Sequence, residues 1–150
     1  MNSEVSASSL QPWLVWALLS ALFAALTAIF AKIGLEGVDS DYATLVRTAV
    51  IIVVLGAFVT VTGKWRSPTS LSAKSGLFLV LSALATGASW VCYFRALKIG
   101  EATHVAPIDK LSVVLVAVFA FVVLGERPSW RDWLGILLIA TGGILLSLKK

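Results

Sequence analysis

Long apolar runs separated by short polar breaks set the pattern of this chain. Uncharged stretches cover Trp13–Ala31, Thr48–Gly63, Ser75–Phe94, Leu111–Gly125 and Trp133–Leu148. A helix crossing a bilayer needs about 17 to 25 such residues, since each adds only about 1.5 Å against the thickness of the hydrocarbon. The first and third runs meet that length unaided. The second does so if Tyr42–Gly63 carries Arg47 into the membrane, the fourth if Ala102–Leu124 carries Asp109 and Lys110, and the fifth by recruiting Trp130 and Lys149 as interfacial flanks. The breaks hold turn formers: Gly34, Gly37, Asp39, Ser40 and Asp41 in the first, Pro68 among Ser and Thr in the second, and Pro128 in the fourth. The third, around Lys98–Glu101, is very tight. The pattern predicts an all-α integral membrane protein whose five transmembrane helices lie near 12–33, 42–63, 75–97, 102–124 and 130–148. Short connections make neighbouring helices antiparallel, and residues 1–11 read as a disordered polar tail.

Hydrophobic residues fill 59% of the 150 positions and charged ones 13%, with a mean hydropathy of +0.95. Nothing is left over for a soluble catalytic domain. The first segment does not read as a secretory signal, because no basic residue precedes it and Glu4 is the sole charged side chain there. A net charge of +4 calls for no nucleic acid either, since the basic residues sit mostly at segment ends, where they reach lipid head groups. Cys92 is the one cysteine and lies in an apolar run, so no internal disulfide forms, and no His/Cys cluster has metal-ligand spacing. No metal or cofactor is expected.

Five crossings put the termini on opposite sides, here side A for the amino end and side B for the carboxy end. Side A holds Lys64, Arg66, Lys74, Arg127 and Arg131; side B holds Lys32, Arg47, Arg95, Lys98, Lys149 and Lys150. Positive charge normally concentrates on the cytoplasmic side, so this near balance specifies orientation weakly. Trp13, Trp16, Trp65, Trp130 and Trp133 gather near side A as an interfacial belt.

The stretch from Lys98 to Leu146 has a small-residue approach at Ala102–Pro107, a Leu124-Gly125-Glu126 exit, an aromatic turn, and a last helix with Gly135, Gly142 and Gly143. It resembles the second half of an EamA-type domain of the drug/metabolite transporter superfamily. Upstream, the AKIGL of residues 31–35, the LVRT of 45–48 and the YFRALK of 93–98 are similar to small single-domain members, so the resemblance covers nearly the whole chain. It implies one half of an inverted-repeat transporter fold. In larger members two five-helix units enclose a midplane site and move metabolites or drugs by alternating access. A single unit then implies a partner: a second, antiparallel copy or a related half. Gly135 and Gly142 are seven residues apart on one face with Gly143 beside them, a surface on which helices approach closely, either between subunits or within one.

Six residues are candidates for substrate binding: Lys110, Arg47, Trp90, Tyr93, Arg95 and Asp109. Lys110 lies roughly 12 Å inside the start of its segment, too deep for easy snorkelling. Pro107, one turn earlier, cannot donate to the carbonyl of Thr103 and marks a helix break beside which a polar pocket can form. Adjacent positions on a helix are about 100° apart, so Asp109 and Lys110 are not expected to neutralise each other. Arg47 enters about a turn below side B, from where it reaches head groups or faces the interior. Trp90, Tyr93 and Phe94 fall at i, i+3 and i+4 before Arg95, an aromatic stripe beside a cation that lines a substrate path or packs the core.

The expected function is a small secondary transporter in a bacterial or archaeal cytoplasmic membrane, an antiparallel dimer moving an organic metabolite. Arg47 and Lys110 favour an anionic or zwitterionic substrate. A multidrug exporter of the small multidrug resistance type is the nearest rival, but that type uses a membrane-embedded glutamate in its first helix, and Trp13–Ala31 has no carboxylate. The rival from another class is an accessory membrane subunit. No Ser/His pair, carboxylate pair or metal cluster is placed for catalysis.

Overall fold

The computed structural model describes residues 11–148, all helix and connection with no strand among them. The tail expected at 1–11 therefore lies outside the described residues except for Gln11, as do Lys149 and Lys150. Five spans cross the molecule: α1 (Pro12–Gly34), α2 (Ser40–Val61), α3 (Ala73–Ile99), a fourth made of α4 (Ala102–Asp109) and α5 (Ser112–Phe119) with a π-helical end at Ala120–Leu124, and α6 (Trp130–Ser147).

Local chemistry sets the ends of these helices. Pro12 occupies the first turn of α1, where its missing N–H costs nothing. Asp39 caps α2 by accepting from the N–H groups of Asp41 (2.9 Å) and Tyr42 (3.0 Å), which starts the helix two residues ahead of the expected Tyr42. Ser72 caps α3 at Ala73 by accepting from the Ser75 N–H at 3.1 Å. Ser129 and Asp132 form a reciprocal capping box at α6. Gly125 ends the fourth span at φ +70°, a conformation that a Cβ disfavours.

The fourth span is not the single helix expected over Ala102–Leu124. Pro107 removes one hydrogen bond of the ladder, and from three residues on the bonding tightens: the Lys110 N–H reaches the Pro107 carbonyl (3.2 Å), Leu111 reaches Ile108 (3.0 Å), Val113 reaches Lys110 (3.0 Å) and Val114 reaches Leu111 (3.0 Å). These i to i+3 bonds separate α4 from α5 at Lys110. The same change of winding corrects the expectation for Asp109 and Lys110, which meet at 3.1 Å.

Antiparallel order follows from contacts between ends. At side B the Lys32 ammonium, in the last turn of α1, donates to the carbonyls of Leu97 (2.7 Å) and Gly100 (2.8 Å) at the end of α3. The Lys98 ammonium answers by donating to the carbonyls of Leu35 (3.1 Å) and Val38 beyond the end of α1. Each lysine thus satisfies carbonyls left over at the other helix's terminus. Arg95 joins α3 to the start of α2 through a two-pronged pair with Asp41, at 2.9 and 2.6 Å. Beneath this lacing Leu35, Phe94 and Leu97 form a buried cluster. Farther on, α6 packs on α4, where a Cβ at Gly143 would come within 3.0 Å of the Pro107 carbonyl oxygen.

Candidate functional site

Four spans converge on a cavity of about 560 Å³. From α1 come Ser20, Phe23, Ala24 and Thr27, which share one face because they recur at three-, four- and seven-residue spacing. Arg47 enters from α2, Ser89, Trp90, Tyr93 and Phe94 from α3, and Asp109 from the end of α4. Asp109, the last residue of α4, stands at the cavity's edge just before the helix break. An adjoining cavity shares Ser20, Ala24 and Tyr93 and is also lined by Pro107 and Lys110.

Arg47 is the centre of this arrangement. Its guanidinium carbon stands 4.1 Å from the centroid of the Trp90 ring and 5.4 Å from that of Phe94, close enough for the cation to be attracted by the ring faces. The side chain therefore turns onto α3 instead of running out to head groups. Ring faces accept no N–H bond of ordinary strength, however. Nη1 is shut off from solvent and makes no hydrogen bond to any described residue, and a buried donor of this kind is costly to leave unmatched. Among the described residues it is the one buried side-chain nitrogen or oxygen without a partner.

Of the six expected binding residues, the structure gathers Arg47, Trp90, Tyr93 and Asp109 around one cavity and puts Lys110 on the adjoining one. Arg95 is elsewhere. Although it follows the aromatic stripe in sequence, the next position on a helix faces about 100° away, and Arg95 is taken up by Asp41. The cation beside the stripe is Arg47, from another helix. The three glycines also part company: Gly143 is buried against Pro107 of the same chain, while a Cβ at Gly135 or Gly142 would meet nothing within 4 Å. Close approach at Gly143 is thus made within one subunit, one of the two alternatives that the sequence left open. The reading from sequence missed Ser20 and Thr27, whose seven-residue spacing in an apolar helix was the available signal, and Lys32 and Lys98, whose partners are backbone carbonyls and leave no mark in sequence. No group of His, Cys, Asp or Glu among the described residues could hold a metal ion.

The profile of the EamA-like transporter family matches residues 11–148. Over 137 residues the chain is 56% identical to a protein of Sinorhizobium sp named as an uncharacterized transporter in the cobO 3′ region, a match covering 91% of this chain and 97% of the relative. It is 25% identical over 138 residues to the uncharacterized transporter YxxF of Bacillus subtilis strain 168, covering 91% of this chain but 43% of that protein. The chain thus spans less than half the length of this second relative. No solved structure matches.

Proposed function

Since this chain belongs to the EamA-like transporter family, we propose that it carries a small organic anion or zwitterion across the membrane by alternating access. The working unit is an antiparallel pair of copies in the cytoplasmic membrane of a bacterium or archaeon. One observation carries the substrate part of this reading: a buried guanidinium nitrogen with no partner, at a cavity lined by aromatic rings and hydroxyls. Intramembrane cations are expensive and are kept where they meet a partner or a passing ligand. An arginine fork lining a cavity, with hydrogen-bonding capacity unused, is suited to a carboxylate or a related oxyanion.

Pairing is supported by how little of the chain is interior. Beside Gly143, the buried residues among those described are Ala28, Leu35, Thr44, Phe94, Leu97, Ala117 and Ala120, and the cavities open outward from between the helices. The long match to a Sinorhizobium transporter of similar length and the partial match to a longer Bacillus one fit a unit that works in twos, either as separate copies or as halves of one chain. Near-equal basic residues on sides A and B allow both orientations. In an antiparallel pair each face of the membrane receives one laced side B end and one unlaced side A end. Opening one lacing while the other stays shut is then a route to alternating access.

Flux into proteoliposomes containing this protein alone, measured with labelled phenylacetate, lactate and phenylalanine, tests the reading. Uptake of at least one of them, lost in Arg47→Gln, is the expected result; uptake independent of Arg47 overturns the site, and uptake only when a second polypeptide is added favours an accessory subunit. Reporters fused after Lys150 are expected on both faces of a bacterial inner membrane, and a single orientation would overturn the antiparallel pair.

A further inference from the structure

The charges around Arg47 distinguish between the substrate classes that the transporter reading leaves open. Asp109 shares the cavity with Arg47, but one of its oxygens is already 3.1 Å from the Lys110 ammonium. Lys110 lines the adjoining cavity, which has Ser20, Ala24 and Tyr93 in common with the first. Two cations and one carboxylate therefore border these two adjoining cavities, and their formal sum is one positive charge. Charge interactions strengthen as water is excluded. A monoanion cancels that excess, a zwitterion leaves it in place, and a dianion overshoots it.

The stereochemistry agrees with the sum. Trp90 lies over the guanidinium at 4.1 Å, so a ligand in the cavity that Arg47 lines meets the fork at its edge, and it reaches Nη1, which is shut off from solvent, only when the packing around that atom opens. A planar carboxylate approaching in the guanidinium plane meets that edge with two parallel hydrogen bonds. An ammonium on the same ligand would have to compete with Lys110 for Asp109 while lying close to Arg47, a like charge. Phe23, Ala24, Trp90 and Phe94 offer apolar surface for the rest of the molecule, and about 560 Å³ is an ordinary size for a small-ligand site. Resting on the transporter reading, we infer that the site takes an organic carboxylate monoanion with an apolar body and discriminates against the matching zwitterion.

Four ligands with a phenyl body and different heads test this: phenylacetate, phenylacetamide, phenylalanine and phenyl phosphate. The readout is the melting temperature of the purified protein in detergent, since a ligand that binds the folded state raises it. Phenylacetate is expected to stabilise at about tenfold lower concentration than phenylalanine, and the neutral amide not at all. Its shift should vanish in Arg47→Gln, weaken in Arg47→Lys, which keeps the charge without the fork, and weaken in Lys110→Met, which brings the formal sum to zero. Size-exclusion chromatography establishes that each variant is folded, and Arg47→Lys carries the test if Arg47→Gln is not. If phenylalanine or phenyl phosphate is the stronger ligand and its shift needs Arg47, the monoanion inference fails while the transporter site stands. If no ligand gives an Arg47-dependent shift up to its solubility limit, the inference and the site fall together.

Discussion

The two ends of the helix bundle are held by different chemistry. At side B, Lys32, Lys98 and the Arg95–Asp41 pair tie α1, α2 and α3 together across 54 to 68 residues of sequence. At side A, every side-chain hydrogen bond among the described residues is local. Ser72 with Ser75, Ser129 with Asp132, and Thr62 with Phe58 cap or decorate their own helices. The aromatic residues there, such as Trp13, Trp65 and Trp130, are exposed, as suits a lipid interface. In lipid an apolar face gains little by leaving hydrocarbon for another helix, so association depends on close packing and polar links. An end without such links is free to separate. The contrast makes side B the tied end of the bundle and the α1–α3 side A ends the part with least to hold them.

The largest expected effect follows from cutting the lacing. Replacing Lys32 and Lys98 together by Met removes charge-assisted bonds to four backbone carbonyls, and at about 1.5 to 3 kcal/mol for a bond to a charged group the loss should reach several degrees of melting temperature in detergent. A double variant that melts like the wild type would show that the lysines merely rest at the head-group level. Gly143→Leu comes next. The new side chain must displace the Pro107 carbonyl or Leu111, an overpacking cost of about 1 to 3 kcal/mol, whereas Gly142→Leu faces open space within the subunit. Unfolding of the two variants in mixed micelles separates them, and an equal loss from Gly142 would contradict the packing described. A cross-linking assay on Gly142→Leu complements this: reduced cross-linking with unchanged subunit stability would place Gly142 between copies. The smallest effect is expected at side A, where Thr62→Val removes a bond within its own turn and should change stability by no more than about 0.5 kcal/mol.

Much of the fold was legible because a membrane imposes a length on every crossing helix, and run length can be read from a sequence directly. The break in the fourth span was only half visible. Pro107 announces a missing hydrogen bond, but the tightening falls later, at Lys110 and Leu111, where the neighbouring bonds readjust. The aromatic stripe on α3 was readable from its spacing, yet its cation was not: Arg95 is adjacent in sequence and Arg47 is adjacent in space. Three glycines of one helix look alike in sequence, and only the position of Pro107 on α4 singles out Gly143. Lys32 and Lys98 lie in stretches that carry the family resemblance, but nothing there names their partners, since any helix terminus offers free carbonyls.

The central claim is that Arg47 is kept for a ligand and not for the fold, and the melting temperature of ligand-free Arg47→Met tests it most directly. Methionine retains an apolar stem against Trp90 and removes a charge whose Nη1 has no partner, and an intramembrane cation without a partner is costly to keep. The account predicts a variant that melts at or above the wild-type temperature and no longer responds to phenylacetate. A variant that melts several degrees lower, yet still responds to phenylacetate as the wild type does, would contradict it and make Arg47 a structural residue.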